Sequence, residues 1–310
     1  MLGPQDIGHR VVVRRIVGIR GNRPLFTDVL GELISYDDAG LAVATRSGVQ
    51  NIPLDAIQAA KRVPYGPKQI TELERIANET WPAPVQEKLG EWTLRAADGW
   101  TGRANSALPL GDPGLDRAAA IDAVVAWYRD RQLNPQFNLP LPVCASLDAA
   151  LTARGWARSQ PTLVLTARLA TILAATEERP ELPPVRLDPE PDDGWLAMVS
   201  ARKGGLPPAA RHVLTAAPAV VFASVDPELA VARGALAGGF LQVALLEVAP
   251  EARRRGLAQH VTRALVNWAG KTGGGTAFLQ VESTNAAALA LYGRLGFTVH
   301  HEYVTRTATA

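Results

Sequence analysis

A chain of 310 residues exceeds the about 100–200 residues that one domain core usually organises, so two or three structural units are expected. Its 47% hydrophobic and 20% charged content excludes intrinsic disorder, and a formal charge of +2 gives no electrostatic reason for a nucleic-acid or membrane partner. No run reaches the roughly 18 apolar residues of a membrane span, and the single cysteine, Cys144, excludes an internal disulfide or a cysteine-built metal site. The start, MLGPQDIGHR, has no apolar signal-peptide core, so a cytoplasmic location is expected.

Residues 1–63 read as a small all-β unit. Arg10–Ile16, Val29–Tyr36, Leu41–Thr45 and Val49–Ile52 are short β-rich runs separated by turns such as Asp37-Asp38-Ala39-Gly40 and Ser47-Gly48. A helical turn is expected at Pro53-Leu54-Asp55. The pattern resembles a five-stranded, SH3-like barrel, a fold that serves many functions. With eight Arg and Lys against six Asp and Glu, this unit suits protein interaction or self-association better than nucleic-acid binding.

Val63-Pro64-Tyr65-Gly66-Pro67 is a stiff hinge that opens a second unit, residues 64–181. A helix is expected over Thr71–Asn78, strands at Glu91–Ala96 and Gly102–Leu108, and an amphipathic helix at Leu115–Arg131. A further helix, Ala145–Arg154, leads through Gly155-Trp156 into the strand Pro161–Ala167. The proline-rich Glu177–Pro184 separates this unit from residues 182–310.

The third unit alternates strands and helices. Strands are expected at Val185–Leu187, Val220–Val225, Leu229–Leu236, Phe240–Val248, Phe278–Glu282 and Thr298–Arg306. Helices are expected at Asp192–Arg202, Pro207–Ala216, Leu257–Ala269 and Asn285–Leu295. The order implies an α/β (α+β) fold with a mixed sheet and helices on both faces.

Within it, the tract Leu245–Ala258 carries chemistry. An apolar strand ends at Val248-Ala249-Pro250, and a loop feeds a helix starting at Leu257. Such a loop presents backbone amides at a helix N-terminus, a site that favours phosphate. Gly256 permits close backbone approach, Ala258 keeps the first turn open, and Arg253, Arg254 and Arg255 supply cationic donors.

Arg253-x-x-Gly256-x-Ala258, followed by Asn285, Tyr292 and the exit Leu295-Gly296-Phe297, resembles the signature of the Gcn5-related N-acetyltransferases. The resemblance implies acetyl-CoA as co-substrate, held by the loop from Arg253 to Ala258. It implies that the Val248 main chain bonds the pantetheine where two strands splay, and that Asn285 contacts the coenzyme arm. It further implies that Tyr292 protonates the leaving thiolate. Asn285 and Tyr292, seven residues apart, share a helix face; the bland alternatives are a helix cap for Asn285 and a core residue for Tyr292. An amine with a pKa near ~7.7–8.0 is partly neutral already and can attack directly. Two positions where relatives often carry a catalytic glutamate are Gln242 and Gln280 here, and Glu247 and Glu282 are set aside as alternating out of phase with them. The base is therefore unassigned. Arg202, Lys203, Arg211 and His212 are candidate acceptor contacts, and His300-His301 is rejected as a metal pair because adjacent strand residues point to opposite faces.

Leu151-Thr-Ala-Arg-Gly-Trp echoes Tyr292-Gly-Arg-Leu-Gly-Phe, so residues 64–181 resemble a degenerate acetyltransferase half without the coenzyme loop. The three-part layout resembles an actinobacterial group assigned as N-acetylglutamate synthases. That resemblance implies a small-molecule amine acceptor, such as the α-amino group of glutamate. A protein N-acetyltransferase and a non-catalytic acyl-CoA sensor with a partner-binding barrel are the alternatives.

Overall fold

The structure, a computed structural model, describes residues 2–225 and 229–309, the side chain of Lys203 excepted. The N-terminal residues form an antiparallel five-stranded sheet of β1 (Arg10–Arg20), β2 (Arg23–Tyr36), β3 (Gly40–Thr45), β4 (Gly48–Pro53) and β5 (Ile57–Arg62), in the order β4-β3-β2-β1-β5. Alternating Val11, Val13, Val29, Leu33, Val43 and Ile52 fill its core. Two contacts seat this unit on the rest of the chain, and a third seats the hinge that follows it. Thr298 Oγ1 donates to the Gly8 carbonyl at 2.9 Å, Arg168 pairs with Glu32 at 3.3 Å, and Tyr65 stacks on His300 with centroids 3.6 Å apart.

The remaining strands are β6 (Val85–Leu89), β7 (Trp92–Ala96), β8 (Gln136–Leu141), β9 (Ala157–Arg158), β10 (Thr162–Arg168), β11 (Arg186–Asp188), β12 (Ala219–Val225), β13 (Ala230–Ala237), β14 (Phe240–Val248), β15 (Thr276–Glu282) and β16 (Thr298–Thr307). The large sheet runs β11-β12-β13-β14-β15-β10-β16-β8, with β9 on β16 and β6 paired to β7. Its centre is the antiparallel pair β10–β16. Outward on one side, β10 meets β15 antiparallel, β15 meets β14 parallel, and β14 meets β13 antiparallel. On the other side, β16 meets β8 antiparallel, β8 meets Ala107 by a parallel bridge, and Leu108 meets Thr93 of β7 antiparallel. The two sides repeat the same succession of directions. Each side has also taken the last strand of the other: β10 lies within 64–181 yet pairs β15, and β16 lies within 182–310 yet pairs β8.

Helices cover both faces. α1 (Pro67–Glu79) buries Ile70, Leu73, Ile76 and Ala77. It begins four residues before the expected Thr71, because Pro67 is already set for a first helical position and Gln69 Oε1 accepts from the Gly66 amide at 2.9 Å. α2 (Arg117–Arg129) is capped by Asp116, whose carboxylate accepts from the Ala118 and Ala119 amides, and α3 (Ala145–Ala153) packs Leu147 and Leu151 into the core around Trp156. α4 (Leu169–Ala174) follows β10 directly. α5 (Asp193–Lys203) and α6 (Pro208–Thr215) precede β12; α7 (Leu257–Lys271) packs on β12, β13 and β14; and α8 (Ala286–Arg294) precedes β16. Among the described residues no helix is long and apolar enough to cross a membrane.

Two expectations are corrected. Residues 102–108 are not a strand: they form a 3-10 turn at Arg103–Asn105 and two isolated bridges. Asn105 holds that bend, accepting from the Ala97 and Gly99 amides and donating to the Trp100 and Thr101 carbonyls at 2.8–2.9 Å. His300 and His301 do not point apart, since their Nδ1 atoms lie 2.8 Å from each other. Val164 pairs His301 and Leu165 pairs Val299, so His300 is the extra residue of a β-bulge and its ring turns.

Residues 182–310 expressed alone would leave β15 and β16 without β10 between them. They are expected to be insoluble or unfolded by circular dichroism, and to be recovered when residues 64–181 are co-expressed.

Candidate active site

β14 pairs β15 only over Phe240–Gln242, opposite Thr276–Phe278. From Val243 onward no pairing joins them, and a cleft of about 650 Å³ opens there. The parting thus begins well before Val248, whose carbonyl accepts from Arg253 Nε at 3.4 Å and which pairs Ala230. On its other side β14 keeps β13 but slips register, with Leu245 at φ +53°. Leu245 and Leu246 together oppose Ala232, a bulge that inverts the side-chain alternation. Ala235 opposes Gln242, Arg233 opposes Ala244 and Val231 opposes Glu247, so Glu247 lies on the same face as Gln242. The expectation that Glu247 is out of phase therefore fails. It fails for Glu282 too, which follows Gln280 by two residues on β15 and shares its face.

Glu247, Gln280, Glu282, Asn285 and Tyr292 all line the cleft. Gln242 does not; its Oε1 accepts from buried Arg233 at 3.3 Å, so it serves the interior. Tyr292 is 8% exposed, with its ring edge-on to Phe297 at 5.5 Å. Burial pushes its phenol well above the usual value; the Glu247 carboxylate pushes the same way and Arg202 opposes both. Tyr292 thus keeps its proton throughout the neutral range. Arg202 forms an ion pair with Glu247, while Arg211 pairs with Glu190 at 3.0 Å on the surface. The Lys203 side chain lies outside the described residues. Asn285 Oδ1 caps α8 by accepting from the Ala288 amide at 3.1 Å, leaving its amide nitrogen for another partner.

Beyond the same end of β14, a 3-10 turn at Pro250–Ala252 leads to Arg253, Arg254 and Arg255, all exposed. Arg254 and Gly256 take φ +63° and +88°, which turns the chain so that the helix beginning Leu257-Ala258 follows immediately. Among the described residues the amides of 254–259 have no hydrogen-bond acceptor. A run of free amides beside exposed arginines suits a diphosphate. A Cβ on Gly256 would lie 2.6 Å from Arg179 Nη1, so the loop has a further guanidinium beside it. Arg179 comes from the connecting segment and has no motif to mark it. Gly256→Ala, strained at this φ and intruding on the cradle, is expected to weaken coenzyme A binding about tenfold or more by calorimetry, about 1.4 kcal/mol, with little change in melting temperature.

The opposite wall comes from the second unit: Trp81, Thr101, Gly102, Arg103, Ser159 and Gln160. Nothing in the sequence pattern singles these out, because their places depend on the exchanged strands. Among the described residues no group of three His, Cys, Asp or Glu side chains is arranged to hold a metal ion.

Residues 68–305 match the family model described as Probable histone acetyltransferase Rv0428c C-terminal. The probable histone acetyltransferase Rv0428c of Mycobacterium tuberculosis is 30% identical, over 97% of this chain and 95% of that protein. The uncharacterized N-acetyltransferase YobR of Bacillus subtilis is 29% identical, over 76% of this chain and 99% of its own length. A Gcn5-related N-acetyltransferase from Kribbella flavida has the same fold, with a TM-score of 0.60 over 80% of this chain and 97% of that one at 16% identity. With the splayed strands and the amide-lined loop, these likenesses place the chain in the family of the Rv0428c C-terminal region, as an acetyltransferase of the Gcn5-related type.

Proposed function

We propose that the protein transfers the acetyl group of acetyl-CoA to the α-amino group of a small amino acid, glutamate being the first candidate, with Tyr292 as acid and Glu247 as base. The observation that carries this is the bulge at Leu245, which turns Glu247 into the cleft that Tyr292 also lines. The residues present fit the co-substrate: the loop from Arg253 through Arg254, Arg255, Gly256 and Leu257 to Ala258 offers free amides to the diphosphate. Val248, the last residue of β14 before this loop, and Asn285, which lines the cleft, would contact the pantetheine arm. The unpaired edge of β14 from Val243 onward offers main-chain donors to a thioester carbonyl, as preorganised dipoles do in an oxyanion hole.

Chemically, the neutral amine attacks the carbonyl carbon, a C–N bond forms and the C–S bond breaks. Tyr292 gives its proton to the departing thiolate, and Glu247 takes the proton that the amine nitrogen sheds. A proton passing from Glu247 to Tyr292 between turnovers restores both groups, so no net proton is consumed. Arg202 holds the carboxylate in place, and burial keeps the phenol protonated and able to donate. A sensor would need the phosphate cradle but no such pair.

The matched strand successions on either side of β10–β16 support residues 64–181 as a second copy of the fold, lacking the coenzyme loop and serving as the acceptor wall. In that copy fully buried Leu151 stands where Tyr292 stands in the other. The five-stranded N-terminal unit carries exposed Ile16, Ile19, Leu25 and Phe26 on its first hairpin, consistent with contact to a protein partner.

Tyr292→Phe is expected to lower kcat for coenzyme A release by about 10²-fold or more while leaving acetyl-CoA binding intact. Unchanged kcat would remove Tyr292 from the mechanism. Glu247→Gln is expected to lower kcat/KM for the acceptor by about 10²-fold at pH 7. The deficit should shrink as rising pH lets hydroxide take the proton that the attacking nitrogen sheds; a pH-independent deficit would argue against a base.

A further inference from the structure

The cleft wall contributed by the second unit contains a cation with no anion. Arg103 sits at the start of the 3-10 turn that Asn105 fixes, in a bend where Thr101 takes φ +60°. Its guanidinium lies over the Trp81 ring at 5.0 Å, and Trp81 is itself pinned by stacking on Trp100 and by Nε1 donating to Thr101 Oγ1 at 3.1 Å. On the same ring, Arg233 lies at 5.1 Å but is satisfied by the Leu214 and Val213 carbonyls and by Gln242. Arg103 is not. Among the described residues its guanidinium donates no hydrogen bond and meets no carboxylate, and its Nη1 is buried without a partner. Across the cleft, Gln280 has both amide atoms buried and unpartnered. The other cleft arginine, Arg202, is already paired with Glu247.

A half-buried guanidinium with one nitrogen shut off from water and no counter-charge is costly to keep, and its planar fork matches a carboxylate. Burial pulls its pKa down, with Tyr303 and Glu74 opposing. An acceptor bearing a carboxylate would supply the missing anion, and the Gln280 amide could bond the same ligand. A basic peptide would instead bring positive charge against Arg103. We propose that Arg103, from the half without a coenzyme loop, is the specificity-determining residue that binds the acceptor's carboxylate and so selects anionic amino acids over basic peptides. This rests on the amine acetyltransfer proposed above.

The test compares each α-amino acid with its own α-carboxamide, which keeps the amine and side chain but loses the negative charge, and adds a lysine-rich peptide. Coenzyme A release is followed in wild type, Arg103→Met and Arg103→Lys. Binding of the same compounds to the coenzyme A complex is measured in parallel by calorimetry. The wild type is expected to favour at least one acid over its amide by about 10- to 100-fold in kcat/KM, carried by the acceptor KM, as for a charge-assisted contact. Arg103→Met should erase that preference and Arg103→Lys should keep part of it, both with acetyl-CoA KM unchanged. Equal use of acid and amide by wild type, a preference that survives in Arg103→Met, or use of the peptide alone would overturn the role of Arg103 and leave acetyltransfer standing. Arg103-dependent binding of acids without turnover would support the carboxylate site and sink the amino-acid transfer reaction. Neither binding nor turnover of any acid would overturn the carboxylate site.

Discussion

Backbone pairing between β10 and β16 is the constraint on which the rest of the molecule depends. Each strand belongs by sequence to one half and completes the sheet of the other. A strand left unpaired at that position would expose a row of amides and carbonyls in the middle of the core, at a penalty that side-chain packing does not repay. The halves are therefore bound by main-chain hydrogen bonds, not just by a surface contact. Everything at their junction inherits that rigidity: the α1 face on Phe278 and Tyr303, the Glu74–His301 contact at 2.8 Å, and the cleft itself.

The cleft exists because β14 and β15 stop pairing after three residues, leaving main-chain groups that the protein does not satisfy internally. A bulge on the opposite side of β14 completes the device. One inserted residue bends the strand and changes which face Glu247 occupies. The same economy holds at the loop before α7, where free amides and a left-handed Gly256 leave a positive concavity. In both places the unsatisfied polar groups are those of the backbone, positioned by strand and helix ends, so the arrangement is held by the fold and not by mobile side chains.

The cleft lining follows another logic. Among the described residues its unpartnered side chains are Arg103, on the wall from residues 64–181, and Gln280, across from it on β15. Trp81 and the turn braced by Asn105 fix where the Arg103 guanidinium lies. The Arg103 wall comes from residues 64–181, whereas the amide-lined loop, Glu247 and Tyr292 come from residues 182–310.

The sequence by itself determined the features that are local. Arg253-x-x-Gly256-x-Ala258 lies within one strand–loop–helix, and Asn285 and Tyr292 lie on one helix, so their spacing alone states how they can be arranged. The order of strands and helices in residues 182–310 was legible for the same reason, as was the Asn285 cap. β8 was not, because Pro135, Pro140 and Pro142 break its strand signal and only pairing with β16 makes it a strand. Only the tertiary structure decided that β10 sits between β15 and β16, that Glu247 faces the cleft, and that Arg103 and Trp81 wall it. Each of these depends on a partner distant in the chain, and a one-residue bulge, invisible in a two-residue periodicity, reverses the face on which a side chain lies.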